Sequence, residues 1–290
     1  MNDEHGWTHR EAMVNGIRLH YVEAGAGPLV VLLHGFPEFW YAWRHQIPAL
    51  AAAGFRVIAP DLRGYNRSER PKEVGSYQMP ALLGDVVGLI RHAGEERATV
   101  AGHDWGGIIA WNLAMHHPEL LEKLIVLNAP HPAAFAREIR NPRQLLRSWY
   151  AFFFQIPWLP EAAIRARNYK AIRRLLRHDP VRRGAYTEDE INRYVEAIRQ
   201  PGALTAMLNY YRANMRRSPG RVRRQSGPIE TPTLLIWGEQ DSALTLNLTE
   251  GLDRWISDLR LERIPDSGHW VLAEVPERVS SLMVDFLREG

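Results

Sequence analysis

The sequence predicts an α/β fold: a mostly parallel sheet flanked by helices, with a helical cap domain inserted into it. Three observations carry that prediction. Short β-branched and leucine runs such as Leu29-Val30-Val31-Leu32-Leu33 have the continuous apolar character of strands buried on both faces. They alternate with helical stretches through the first 130 residues. From about 131 to 228 the strand pattern stops, and afterwards it resumes.

Each element has its own signal. Residues 11–14 and 17–23 are strand-like and flank Asn15-Gly16, a dipeptide that accepts the left-handed backbone of a two-residue hairpin. Residues 29–33, 55–62, 98–104 and 123–128 read as buried strands. Residues 40–53, 80–94 and 106–117 read as helices, the last stopping at His117-Pro118 because a proline disfavours helical backbone before it. In the insertion, arginine-rich and aromatic stretches have helical spacing, broken at Asn141-Pro142, Pro157, Pro160, Asp179-Pro180 and Pro219-Gly220. Thr187 followed three residues later by Glu190 has the form of a capping box. Strand character returns at 233–238 and 259–264, and 276–288 closes the chain as a helix. The domain organisation is therefore a core of residues 1–130 and 229–290 carrying a helical lid of residues 131–228.

Composition narrows the function classes. The chain has 290 residues, 46% hydrophobic and 24% charged, which is ordinary for a globular protein and excludes a largely disordered one. It has no cysteine, so disulfides, thiolate metal sites and a cysteine nucleophile are excluded. No apolar run is long enough to span a bilayer and the first thirty residues lack a signal-peptide core, so a cytoplasmic protein is expected. The net charge of +3 conceals an asymmetry: residues 131–228 hold 20 basic and 7 acidic side chains, leaving 16 and 26 for the rest. A lid of +13 on a body of −10 predicts electrostatic attachment and a solvated outer face, with steering of a substrate carboxylate or anionic-membrane contact as the lesser alternatives. No nucleic-acid motif accompanies the arginines, so a nucleic-acid partner is not expected.

The chemistry concentrates in Ala101-Gly102-His103-Asp104-Trp105-Gly106-Gly107, between a buried strand and a helix. That is the setting of a nucleophile elbow, where glycines allow strand and helix backbones to touch and the apex residue is exposed at the carboxyl edge of the sheet. Here the apex is Asp104. Asp241 follows the next buried strand and His269 the one after it, in the chain order that an elbow enzyme requires. Asp241 would fix the tautomer of His269 and leave its other nitrogen to take a proton from water. The loop His34-Gly35-Phe36-Pro37 follows the first buried strand, where one oxyanion-hole N–H is expected. The N–H groups of Phe36 and Trp105 are the candidates, with the Phe36-Pro37 bond a candidate for the cis form.

His34–Pro37 with Glu38 and Trp40, then Arg63-Gly64-Tyr65, then Gly102–Gly107, then Gly268-His269-Trp270 together resemble the epoxide hydrolase branch of the α/β-hydrolase superfamily. The resemblance runs across nearly the whole chain. It departs from the family pattern at Asn66, where glycine is usual, though asparagine also tolerates a left-handed backbone. The resemblance implies two lid tyrosines above the nucleophile: Tyr150, within Trp149–Pro157, and Tyr211 or its neighbour Tyr210. Phenols stay protonated at neutral pH and can donate to an epoxide oxygen as it becomes an alkoxide. Phe36, Pro37, Trp105, Phe153, Phe154 and Trp270 are expected to line the substrate pocket. The lid aromatics Trp149, Phe152, Phe153, Phe154 and Trp158 read either as an apolar tunnel or as core.

The expected reaction is hydrolysis of a small apolar epoxide by water to a vicinal diol, without metal or cofactor, by a monomer or homodimer. A haloalkane dehalogenase shares the aspartate elbow, but Phe36 and the paired lid tyrosines argue against it, and the tyrosines argue likewise against a fluoroacetate-type dehalogenase. A hydrolase-like receptor without turnover need not keep Asp104, Asp241, His269 and both tyrosines, and a serine esterase is disfavoured by Asp104 itself. Other signals fail. Gly25-Ala26-Gly27-Pro28 precedes a strand and reads as a turn, not a dinucleotide loop. His5 and His9 lack a third ligand, and adjacent His116 and His117 read as solvated.

Overall fold

Asn15 and Gly16 take positive φ (49° and 76°) and join β1 (Thr8–Val14) to β2 (Ile17–Ala24) as an antiparallel hairpin, with Val14 opposite Ile17. The computed structural model describes residues 7–215 and 228–289. The hairpin starts an eight-stranded sheet completed by β3 (Leu29–Leu33), β4 (Arg56–Pro60), β5 (Ala98–His103), β6 (Leu121–Leu127), β7 (Thr233–Gly238) and β8 (Leu259–Ile264). Its order is β1-β2-β4-β3-β5-β6-β7-β8, antiparallel as far as β4 and parallel beyond. The central strands β3, β5 and β7 are buried at every position, as their unbroken apolar runs require when helices cover both faces.

Helices α1 (Gln46–Ala52), α2 (Met79–His92) and α3 (Trp105–His116) follow β3, β4 and β5. The single helix expected over 40–53 is instead a 3₁₀ turn, Trp40–Trp43, followed by α1. Pro48 accounts for the break. It lacks an N–H and fits only the first helical turn, so the helix starts just before it. β1 begins three residues earlier than expected because Thr8, His9 and Arg10 lie on a polar edge strand, where apolar patterning is weak.

Between β6 and β7 the described residues form six helices: α4 (Pro132–Glu138), α5 (Pro142–Arg147), α6 (Trp149–Phe153), α7 (Leu159–His178), α8 (Glu188–Arg199) and α9 (Ala203–Asn214). Thr187 and Glu190 form a reciprocal capping box at the start of α8. α7 is interrupted at residues 166–169, where Arg167, Asn168 and Tyr169 have positive φ. The expected break at Pro219-Gly220 and the lid boundary at Gly227 lie outside the described residues. So does His5. His9 lies in a strand, with its ring nitrogen 2.8 Å from that of His20. After β8 come α10 (Val271–Glu274) and α11 (Pro276–Arg288).

Electrostatic attachment of this helical insertion is weaker than its charge suggests. Among the described residues, Arg44–Glu190 and Arg182–Asp266 are the ion pairs that join it to the sheet domain. Elsewhere the junction uses carbonyl acceptors, as where Arg147 donates to the carbonyls of Asp241 and Leu244 and where the Tyr210 hydroxyl donates to that of Arg63. Arginine's five donors suit this role, because carbonyl oxygens at loop ends need partners and carboxylates are scarce there.

The sheet and α3 approach one another most closely beneath the elbow. A Cβ on Gly106 would lie 2.1 Å from the Leu33 carbonyl oxygen, and one on Gly102 would lie 2.3 Å from the Gly106 oxygen. Both contacts are to backbone, so no rotamer can relieve them. Gly106→Ala is expected to lower unfolding stability by about 3 kcal/mol or more, read as a drop in the urea midpoint at unchanged slope.

Candidate active site

Asp104 caps α3 with φ 50° and ψ −118°, a backbone conformation that L-residues rarely adopt. The turn projects its carboxylate toward the loop after β3. There the Phe36 N–H donates to Asp104 Oδ1 at 2.9 Å, and the Trp105 N–H also donates to the carboxylate. The loop can come this near only because residue 35 is glycine: a Cβ there would lie 2.4 Å from the Asp104 Cβ. The Phe36-Pro37 bond is cis.

His269, in the loop after β8, faces both acids. Its Nδ1 lies 2.7 Å from Asp241 Oδ2, and its Nε2 lies 3.8 Å from Asp104 Oδ2. Asp241 follows β7 and accepts on Oδ1 from the N–H groups of Ala243 and Leu244. Burial works against a charged imidazole, but Asp241 outweighs it, with help from Asp104 and Glu38, and the His269 pKa is pushed up to about 10. Burial likewise opposes ionisation of Asp241, yet the imidazolium, Asn128 and the Leu244 N–H hold its carboxyl below the usual value. Burial raises the carboxyl of Asp104, countered by the two histidines His269 and His103 and by its two N–H donors.

Aromatic rings roof this cluster. Tyr150 on α6 and Tyr211 on α9 meet edge to face with centroids 6.0 Å apart, and Tyr211 also packs on Trp105 at 5.0 Å and Phe36 at 5.7 Å. The Trp105 indole N–H donates to the Tyr211 oxygen. Burial first, and then the Asp104 charge, push both phenols well above their ordinary pKa. Tyr210 points elsewhere, with its hydroxyl on the Arg63 carbonyl and its ring against Tyr65. Phe154 packs on Tyr211 and Phe36, and Phe153 adjoins Phe154. Pro37 is buried beside Phe36, and Trp270 packs edge-on to His269 at 5.1 Å while donating to Asp179. Trp149, Phe152 and Trp158 are exposed and not core, because they occupy the opposite side of the α6 turn and the loop after it.

A family model for the alpha/beta hydrolase fold matches residues 28–276. An AB hydrolase superfamily protein of Bacillus subtilis, YfhM, is 43% identical over 277 residues, covering 94% of this chain and 96% of its own. Epoxide hydrolase 4 of mouse is 38% identical over 299 residues, covering 100% of this chain and 82% of its own. The chain belongs to the epoxide hydrolase family of the α/β-hydrolase fold. The crystal structure of a Bacillus megaterium epoxide hydrolase bound to an inhibitor superposes with a TM-score of 0.90 at 33% identity, covering 97% of this chain and 100% of that one.

Two supporting groups of this epoxide hydrolase family member escaped sequence reasoning. Asn128, just past β6, donates from Nδ2 to Asp241 Oδ2 at 2.8 Å and pairs with the Gly238 backbone, so it braces the acid from the neighbouring strand. Glu38 and His103 were visible only as parts of motifs. Both are buried: Glu38 accepts from the Gly35 N–H and bonds His103 Nδ1 at 2.8 Å, and His103 Nε2 donates to the His269 carbonyl at 2.9 Å. The signal that would have found Asn128 is its place at the carboxyl end of a buried strand, shared with Asp104 and Asp241.

The raised His269 pKa fixes a sign. The pair with Asp241 contributes fully below the unfolded-state pKa of about 6.5 and fades as pH rises toward the folded value of about 10. The stability gap between wild type and His269→Gln should therefore be widest at pH 6 and narrow steadily to pH 10 in urea titrations. A gap that widens with pH would contradict a buried imidazolium.

Proposed function

We propose that the protein hydrolyses epoxides to vicinal diols through a covalent ester of Asp104, beneath a lid formed by residues 131–228. The observation that carries this reading is the Asp104 carboxylate itself: Oδ1 is tied to the Phe36 N–H while Oδ2 faces His269 under two tyrosines. Oδ2 attacks a ring carbon, the C–O bond breaks, and Tyr150 and Tyr211 donate hydrogen bonds to the oxygen as it gains charge. Their high pKa values keep them protonated and therefore able to donate. Because the Tyr211 oxygen already accepts from Trp105, its own O–H is oriented away from the indole.

Alkylation removes the Asp104 charge that helps hold a proton on His269. The imidazolium then becomes a better acid, and the proton it releases balances the alkoxide formed by ring opening. Neutral His269, oriented by Asp241, takes a proton from water as that water attacks the ester carbonyl. The N–H groups of Phe36 and Trp105, already bonded to the carboxylate, stabilise the tetrahedral oxyanion. Collapse releases the diol and restores the carboxylate. A carboxylate nucleophile suits a substrate without a carbonyl, since the enzyme then supplies the one to be hydrolysed.

Single turnover with enzyme in excess over styrene oxide in ¹⁸O-water should give a first diol carrying little label, its new oxygen having come from Asp104. Full labelling of that diol would eliminate the ester. His269→Gln should accumulate an adduct mass on the intact protein. Tyr150→Phe and Tyr211→Phe should each lower kcat/KM for styrene oxide about 10²-fold, with thermal stability little changed.

A further inference from the structure

α6 is apolar on both sides. Its inner side carries Tyr150 over the carboxylates, yet Trp149 on its outer side is 61% exposed and Phe152 is also exposed. A helix that is apolar all round belongs in a core or against lipid, and this one has a core on one side only. The outer patch continues into both neighbours. Leu145 and Leu146 of α5 are exposed, as are Ile156 and Leu159, and Trp158 is 81% exposed. Trp158 also has φ 52°, a strained left-handed conformation for a bulky residue at the turn into α7.

Along the segment that carries this patch, the exposed charge has one sign. Between residues 139 and 178 the single acidic residue is Glu161, and it is buried and held by both terminal nitrogens of Arg212, at 2.7 and 2.9 Å. Arg140, Arg143, Arg165, Arg167 and Lys170 are exposed. Exposed tryptophan and leucine ringed by uncompensated arginine and lysine is the composition of a surface that rests in the headgroup layer of an anionic membrane. A second copy of the chain would fit less well, because a two-fold contact through this patch sets the same cations against each other.

We propose that the outer face of the lid, residues 141–170, docks on an anionic phospholipid bilayer. Trp149, Trp158 and Leu146 enter the interface, and the arginines pair with lipid phosphates. Docking itself does not depend on the epoxide reading. Where that reading also holds, apolar epoxides dissolved in the bilayer meet the enzyme at the helix whose inner side faces Asp104.

The test is co-sedimentation of the whole chain with vesicles of equimolar phosphatidylcholine and phosphatidylglycerol, against vesicles of phosphatidylcholine alone. Binding is expected to the anionic vesicles only, with a blue shift of tryptophan emission, and to be lost at about 1 M salt, where the screening length falls to about 3 Å. The double variant Leu146→Ser, Trp158→Ser should bind at least about tenfold more weakly. It should keep the wild-type melting temperature and wild-type turnover of soluble styrene oxide, and the melting temperature alone reports folding if neither protein turns that substrate over. Three results would overturn the proposal. These are no association with anionic vesicles at low salt, equal binding by the double variant, or a dimer in sedimentation velocity that the variant abolishes while vesicle binding is absent.

Discussion

One buried imidazolium shared between a buried carboxylate and a partly exposed one is the interaction on which the catalytic half of this molecule depends. His269 lies within 3.8 Å of Asp104 and 2.7 Å of Asp241; His269 and Asp241 are buried, and Asp104 is partly exposed. Charges taken out of water are stabilised only if their remaining lone pairs and protons find partners. Each acid accordingly has its own donors: Phe36 and Trp105 for Asp104, and Ala243, Leu244 and Asn128 for Asp241. These donors come from loops after β3, β5, β6 and β7, so the parallel sheet must bring four strand ends to one edge. The cluster carries one more negative than positive charge. The Asp104 carboxylate is thus the member least well neutralised, in keeping with the nucleophilic role proposed for it.

That requirement propagates into the backbone. Asp104 reaches its donors through a strained φ, and the strain persists because glycine at 35, 102 and 106 lets three backbone segments pack without intervening side chains. Glu38, His103 and the His269 carbonyl extend the polar network under the site. His103 must donate from Nε2 to that carbonyl, which leaves Nδ1 to share a proton with Glu38. The fold below the site is therefore as constrained as the site itself.

Much of this was legible in the residues. Apolar runs located β3, β5, β6 and β7 to within two residues, because a strand buried on both faces admits almost nothing polar. Asn15-Gly16, the Thr187 box and left-handed Asn66 (φ 39°) follow local backbone chemistry and stand where that chemistry puts them. Edge strand β1 and the Pro48 break were blurred, since neither depends on burial. At the site, chain order brought Asp104, Asp241 and His269 into view, but Asn128 did not announce itself. A buried asparagine at a strand end looks like any turn residue until the neighbouring strand supplies its partner. Side-chain direction was equally hidden for the adjacent pair Tyr210 and Tyr211, which point to different partners from one turn of α9.

The insertion shows the limit of composition most plainly. Its excess positive charge suggested a lid pulled onto an acidic body, yet few ion pairs cross that junction. Glu138, Glu161 and Glu188, three of the insertion's few acids, pair with arginines of the insertion itself, and they leave the remaining cations facing out. Aromatic content was misleading in a parallel way, because a run such as Trp149-Tyr150-Ala151-Phe152-Phe153-Phe154 does not say how many faces it serves. A five-residue helix has too little girth to bury five large side chains on one side. Closing the roof over Asp104 with Tyr150, Phe153 and Phe154 forces Trp149 and Phe152 outward. The outer apolar patch and the inner roof are two consequences of the same short helix, and the surrounding arginines decide what kind of surface that patch can meet.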